Sequence, residues 1–150
     1  MKIQKIKNYI YNLNNIKNLA NIIAKYVKSN KCHLLLYGDM GTGKTTLIKY
    51  IIKNIYKNEN EKINVTSPTY AYLNQYNYNN FIINHFDLYR LNNLKEFEEL
   101  GFTEYLNQEN SICIIEWPEI IENIIDNFKF IKLYLQYNNL ENRTISLHFN

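Results

Sequence analysis

Gly38-Asp39-Met40-Gly41-Thr42-Gly43-Lys44-Thr45 holds three of the chain's four glycines and fits the phosphate-binding pattern G-x-x-x-x-G-K-[ST]. Such a loop must curl so that successive backbone N–H groups point inward at phosphate oxygens, and a Cβ at the glycine positions would obstruct the turn or the ligand. Lys44 is then placed to reach the β and γ phosphates of a nucleotide, and the Thr45 hydroxyl to ligate Mg²⁺. Immediately upstream, His33-Leu34-Leu35-Leu36-Tyr37 is a short apolar run of buried-strand length. Downstream, Leu47, Ile48, Ile51, Ile52 and Ile55 recur at helical spacing. Strand, glycine loop and helix is the order the motif requires, and the helix N-terminus adds its own free N–H groups and dipole to the anion site.

Further out, Asn14 or Asn15 is placed to cap a helix whose apolar residues Ile16, Leu19, Ala20, Ile23 and Val27 run up to Lys28. Tyr56 to Lys62 reads as a surface turn, and Ile63-Asn64-Val65-Thr66 as the start of a short strand broken at Pro68. Ala71–Tyr76 and Phe81–Phe86 read as two strands joined by the turn around Asn77–Asn80. Leu94–Leu100 and Thr103–Leu106 are short helices split by Gly101, a natural C-terminal cap. Ser111-Ile112-Cys113-Ile114-Ile115 is continuously apolar, as in a strand covered on both faces. Pro118 suits the first turn of a helix over Glu119–Ile125. Ile131, Leu133, Leu135 and Tyr137, then Ile145, Leu147 and Phe149, alternate as a hairpin. The pattern predicts an α/β, P-loop NTPase-like three-layer fold with a central, mostly parallel sheet and a C-terminal antiparallel hairpin, organised as a single domain over residues 1–150.

Composition narrows the class further. A net charge of +3 is spread over lysines on solvated helix faces, a mild pointer to an acidic partner. Cys32 and Cys113 each sit at or in an apolar run and read as buried free thiols, and His33, His85 and His148 have no metal-ligand spacing with them. The N-terminal MKIQKIKNYIYNL lacks the apolar core of a signal peptide, and no run is long enough to span a bilayer, so the expectation is a cytoplasmic protein with no membrane contact. Asn, Ile, Lys and Tyr are abundant, as from A- and T-rich codons, which makes the scarce residues informative. Both prolines, the one tryptophan and one of two arginines fall in Ser67-Pro68-Thr69, His85-Phe86-Asp87-Leu88-Tyr89-Arg90 and Glu116-Trp117-Pro118-Glu119.

Each of these islands has a chemical and a plain structural reading. Glu116 closes a buried strand at the end where ligands bind in open α/β sheets, so it is either a second anchor for Mg²⁺ or a helix-capping carboxylate. Asp87 follows another strand and either orients the metal's waters or the attacking water, or pairs with Arg90. Ser67-Pro68-Thr69 is either a γ-phosphate-sensing loop or a simple proline turn. Trp117 either stacks on a base, packs under the nucleotide, faces a partner or simply packs in the core, and His85 reads as a core histidine ahead of a catalyst.

In this order and spacing, GDMGTGKTT, SPTYAYLNQY, NHFDLYRL, EELGFTEYL and IIEWPE resemble the bacterial ATPase family of tRNA threonylcarbamoyladenosine biosynthesis, TsaE, from about Asn15 to the last strand. The resemblance implies a small P-loop ATPase that assists a partner heterodimer, TsaB with TsaD, in placing a threonylcarbamoyl group on adenosine 37 of tRNA. The tRNA would be met through the complex, and ATP turnover would be slow without the partners. The implied ATP site is Gly38, Asp39, Met40, Gly41, Thr42, Gly43, Lys44, Thr45 and Thr46, with Thr69 as a switch residue. Thr45 and Glu116 would hold Mg²⁺, and Lys44, Asp87 and Glu116 would serve catalysis. Met40, Thr42 and Tyr70 stand where the family usually has Leu, Ala and Phe. Two other readings share the loop: a small-molecule kinase, which normally closes an arginine-bearing lid over the phosphates, and a nucleotide-bound interaction module without turnover.

Overall fold

A computed structural model of the chain describes residues 5–56 and 63–150. One seven-stranded sheet runs through it in the order β1-β7-β6-β2-β5-β4-β3. The four central strands, β6 (Phe130–Tyr137), β2 (His33–Tyr37), β5 (Ser111–Glu116) and β4 (Phe81–Asp87), are parallel. Antiparallel strands flank them, β3 (Leu73–Tyr78) on one side and β7 (Arg143–Phe149) with β1 (Lys5–Tyr11) on the other.

The apolar run of β2 explains the layering. Leu34 and Leu36 enter one core, with helices α1 (Ile16–Asn30) and α2 (Lys44–Ile55), while Leu35 and Tyr37 enter a second core on the opposite face. That second core is closed by α3 (Leu94–Glu99), α4 (Thr103–Leu106), a 3₁₀ turn over Pro118–Ile121 and α5 (Glu122–Ile125). A strand apolar on both faces can be sheltered in no other way. At its centre Phe86 meets Phe97 and Phe102 with ring centroids 5.9 and 5.2 Å away, in tilted and edge-on contacts.

Local signals behave as their chemistry dictates. Gly101, at φ 73°, ends α3: its N–H bonds the Glu98 carbonyl at 2.9 Å and that of Phe102 bonds Phe97 at 3.2 Å, the paired bonds that close a helix. Asn79 and Asn80, at φ 46° and 62°, turn β3 into β4 with both central residues left-handed, as a tight hairpin demands.

Three local expectations need correction, and one strand carries no signal in the sequence. Residues 63–68 form no strand; Asn74 Nδ2 on the Thr66 carbonyl and Tyr76 Oη beside Thr66 tie the segment down through β3 side chains in place of a ladder. The Asn15 side chain caps no helical N–H of α1 and instead accepts from the Asn12 N–H at 2.8 Å. The Asn12 carbonyl receives the first helical N–H, from Ile16, at 2.9 Å. Pro118 opens a 3₁₀ turn before the short α5, so the expected single helix is split. Strand β1 has no counterpart in the periodicity, because it is the outermost strand and exposes both alternating faces along most of its length. The turn expected over residues 57–62 lies outside the described residues.

His33 is 8 % exposed, and its Nδ1 accepts the Cys113 N–H at 2.9 Å, joining β2 to β5. Burial pulls its imidazole down to about 4, against the opposing pull of the Leu106 backbone. Between about pH 6.5 and pH 4 the unfolded chain therefore takes up a proton that the folded protein refuses, so stability falls as pH falls through that window. The full loss is of order 3 kcal/mol. Denaturant titrations of wild type and His33→Gln across this range are expected to converge as pH drops, because the variant lacks the imidazole; parallel curves would mean that His33 does not titrate on unfolding.

Candidate functional site

The glycine loop leaves β2 and enters α2 where the parallel strands end, and strand register fixes what faces it. Leu36 of β2 pairs with Glu116 of β5, and Glu116 with Asp87 of β4, so both carboxylates stand on one rung at the mouth of the sheet. Thr45 Oγ1, in the first turn of α2, donates to Glu116 Oε2 at 3.0 Å. His85 Nε2 donates to Oε1 at 2.9 Å from inside the core, where its Nδ1 is buried without a partner among the described residues. Glu116 is buried, so it needs these donors to offset lost water. The Glu116 carboxylate meets the loop threonine, and no side chain caps the 3₁₀ turn that follows it.

Asp87 Oδ2 accepts from Thr69 Oγ1 at 2.6 Å and Oδ1 from the Tyr89 N–H at 3.1 Å. The alternative pairing of Asp87 with Arg90 is not formed; the Arg90 guanidinium lies 4.9 Å from the centre of the Tyr70 ring. Ser67 Oγ and Thr69 Oγ1 are 2.7 Å apart, so the proline loop reaches the site through a chain of hydroxyls ending on Asp87.

Lys44 folds back over its own loop, its Nζ donating to the carbonyls of Gly38 and Asp39, and sits 4.0 Å from the centre of the Trp117 ring. Trp117, held at φ 57° between β5 and the 3₁₀ turn, presents its face to the cation. Burial draws the ammonium below the usual lysine range, with Glu116, Asp87, Glu119 and Asp39 pulling it back up. Thr42 spends its hydroxyl on the Asp39 carbonyl at 2.8 Å, bracing the loop from within, while Met40 points to solvent.

Among the clefts that border the loop, two reach Gly43 and Thr46. One, of about 530 Å³, is lined by Lys44, Thr45, Thr69, Asp87, Glu116 and Trp117. The other, of about 480 Å³, runs from Gly43 and Thr46 past Tyr11 and Arg143 to the exposed Leu13 and Leu140. The donor set of the first cleft suits Mg²⁺: one hydroxyl and one carboxylate in contact, with no group of three or more His, Cys, Asp or Glu able to cage an ion among the described residues. Such a site leaves most coordination to water and phosphate, as Mg²⁺ prefers.

Sequence reasoning missed the tyrosines that hold the loop from the hairpin side. Tyr137 Oη donates to the Gly41 carbonyl at 2.6 Å, and Tyr11 lies beside Gly43. No local pattern marks them, since each is simply the last residue of a strand. Arg143, the first residue of β7, lines the second cleft, which also reaches Thr46.

Residues 10–145 match the family described as threonylcarbamoyl adenosine biosynthesis protein TsaE. A Rickettsia felis protein named tRNA threonylcarbamoyladenosine biosynthesis protein TsaE is 43 % identical over 109 residues, 73 % of this chain and 60 % of that protein. Its Rickettsia prowazekii namesake is 36 % identical over 132 residues, 88 % of this chain and 87 % of its own length. The crystal structure of Bacillus subtilis YdiB superposes with a TM-score of 0.65 at 21 % identity, covering 97 % of this chain and 88 % of that one, and so shares the fold. The stretch matched to the Rickettsia felis protein thus spans about three fifths of its length.

The loop's attachment to the sheet can be tested by adding single methyl groups. At Gly38, with φ +140°, a Cβ would meet the Leu135 carbonyl oxygen at 2.5 Å, whereas at Gly101 it would meet nothing within 4 Å. Gly101→Ala is expected to cost only the left-handed backbone penalty, about 1 kcal/mol. Gly38→Ala should cost at least about 2 kcal/mol more, because one of two backbones must move. Equal losses in denaturant melts would show that the loop is not pressed against β6.

Proposed function

The chain belongs to the TsaE family of threonylcarbamoyl adenosine biosynthesis proteins, and from that membership we propose that it binds and hydrolyses Mg²⁺-ATP to support threonylcarbamoyl transfer to adenosine 37 of tRNA. The transfer itself falls to a TsaB-TsaD-like heterodimer, and tRNA is engaged through that complex. One observation carries the reading: Glu116 and Asp87 share a rung opposite Lys44 and Thr45, with the proline loop bonded to Asp87.

In this reading the triphosphate lies along the loop, its nucleoside in the cleft between Leu13 and Leu140 and its terminal phosphate facing Asp87. Lys44 exchanges the Gly38 and Asp39 carbonyls for phosphate oxygens and moves little, because Trp117 already holds it in place. The Thr45 hydroxyl and Glu116 would hold the metal, which on binding neutralises charge developing on the phosphates. Asp87, kept in place by Thr69 and the Tyr89 N–H, accepts a hydrogen bond from the attacking water and aims it at the γ-phosphate.

The site is short of cations. Arg90 rests on Tyr70, and Arg143 faces the nucleoside side. An arginine aimed at the γ-phosphate is typically worth roughly 10³ to 10⁵ in rate, so the isolated chain should turn over slowly. Met40, Tyr70 and Tyr89, apolar and exposed around the mouth of the first cleft, provide a surface on which the heterodimer docks and fixes the Ser67-Pro68-Thr69 loop.

Calorimetry and phosphate-release assays test this with the full chain. ATP should bind far more tightly than GTP, for the chain has no Asn-Lys-x-Asp guanine-reading segment. Lys44→Ala should weaken ATP binding by at least about tenfold and abolish hydrolysis. Asp87→Ala should keep ATP affinity within about threefold while losing the stimulation that the heterodimer gives the wild type. Rapid hydrolysis by the lone chain, indifferent to the heterodimer, would sink the partner-dependent mechanism.

A further inference from the structure

Tyr11, Arg143 and Tyr137 pair across β1, β7 and β6 as the last rung of the antiparallel side, directly beside the glycine loop. Two of the three have their polar groups engaged. The Arg143 guanidinium lies 4.2 Å from the centre of the Tyr137 ring, and its Nη1 donates to the carbonyls of Asn139, Leu140 and Asn142. Tyr137 spends its hydroxyl on Gly41.

Tyr11 differs. Its side chain is buried, 4 % exposed, yet its Oη has no hydrogen-bond partner among the described residues. Burial raises the phenol to about 12, with Arg143 opposing, so the group is an O–H donor throughout the physiological range. A buried hydroxyl with no acceptor is costly, and native proteins keep few of them. The position of this one is informative. It stands 3.9 Å from where a Cβ on Gly43 would lie, at the joint between loop and α2, and it lines the cleft that continues past Asn12 to Leu13 and Leu140. A ligand that occupies that cleft and the loop together therefore lies against Tyr11.

We propose that Tyr11 is a nucleotide-binding residue whose hydroxyl donates to the α-phosphate, the point where the phosphate chain on the loop turns toward the nucleoside. The assignment rests on the reading that ATP occupies this loop. The α-phosphate supplies the anionic acceptor that the phenol lacks in the protein, and the loop N–H groups with Lys44 serve the β and γ phosphates. The hydroxyl therefore distinguishes a phosphate esterified to a nucleoside from a bare polyphosphate. It also places the outermost strand of the sheet in direct contact with the ligand.

The test compares wild type with Tyr11→Phe by calorimetry, using ADP and inorganic pyrophosphate as separate probes. The variant is expected to melt no lower than wild type, since the phenol loses no protein partner. ADP should bind about tenfold more weakly to the variant, the range of a hydrogen bond to a charged group, with pyrophosphate affinity unchanged within about twofold. Equal ADP affinities for the two proteins overturn the role of Tyr11 alone. A parallel loss of ADP and pyrophosphate binding also overturns it, marking the hydroxyl as structural. Failure of the wild type to bind ADP overturns the nucleotide reading itself, and this inference with it. Should Tyr11→Phe not fold, 3-fluorotyrosine placed at position 11 gives a second readout: its fluorine resonance must move on saturation with ADP and hold still with pyrophosphate, and any other pattern rejects the contact.

Discussion

Three parallel strands end at one level here, and the arrangement of the site follows from it. Because β5 lies between β2 and β4, hydrogen bonding sets Leu36, Glu116 and Asp87 side by side and leaves the loop rising from β2 directly over the two carboxylates. Two acidic groups this close, both buried, repel each other and lose hydration. The protein answers with a separate set of donors for each: Thr45 and His85 for Glu116, Thr69 and the Tyr89 N–H for Asp87. A shift of one strand by a single residue would turn one carboxylate to the opposite face and strand its donors, so sheet register and site geometry are one constraint.

The two sides of the loop are built differently. On the carboxylate side polar groups converge and are satisfied by one another, with Lys44 held between loop carbonyls and an indole face. On the hairpin side Tyr137 bonds the Gly41 carbonyl, Tyr11 lies beside Gly43, and Gly38 is pressed on the Leu135 carbonyl. In the proposed function, the first side would serve the reacting groups and the second would hold the nucleotide in place.

Much of this was legible in the residues. The loop, both strand-end carboxylates and the covered strands β2 and β5 follow from patterns whose physics is local: glycine spacing, apolar runs and the rule that ligands gather at carboxyl ends of parallel strands. What was not legible depends on contacts distant in sequence. Strand β1 carries lysines and asparagine between exposed isoleucines, so alternation says little, and only pairing with β7 makes it a strand. Asp87 and Arg90 are close enough in sequence to pair, yet the hydroxyl of Thr69, brought in by the proline loop, is in contact with the carboxylate instead. Residues 63–66 are apolar enough to suggest a strand, but side chains of β3 take up both backbone groups of Thr66.

Where the β2–β5 ladder would otherwise begin, the Cys113 N–H donates to His33 Nδ1, a side chain acting as a surrogate carbonyl. Both strands are buried on both faces, and sliding one past the other by two residues would keep the same sets of side chains on each face and offer the imidazole the equivalent amide of Ser111 or Ile115. Neither hydrophobicity nor the imidazole therefore indexes the two strands. The carboxylate at the end of β5 does, since the slip would carry Glu116 along the sheet and away from the Thr45 hydroxyl.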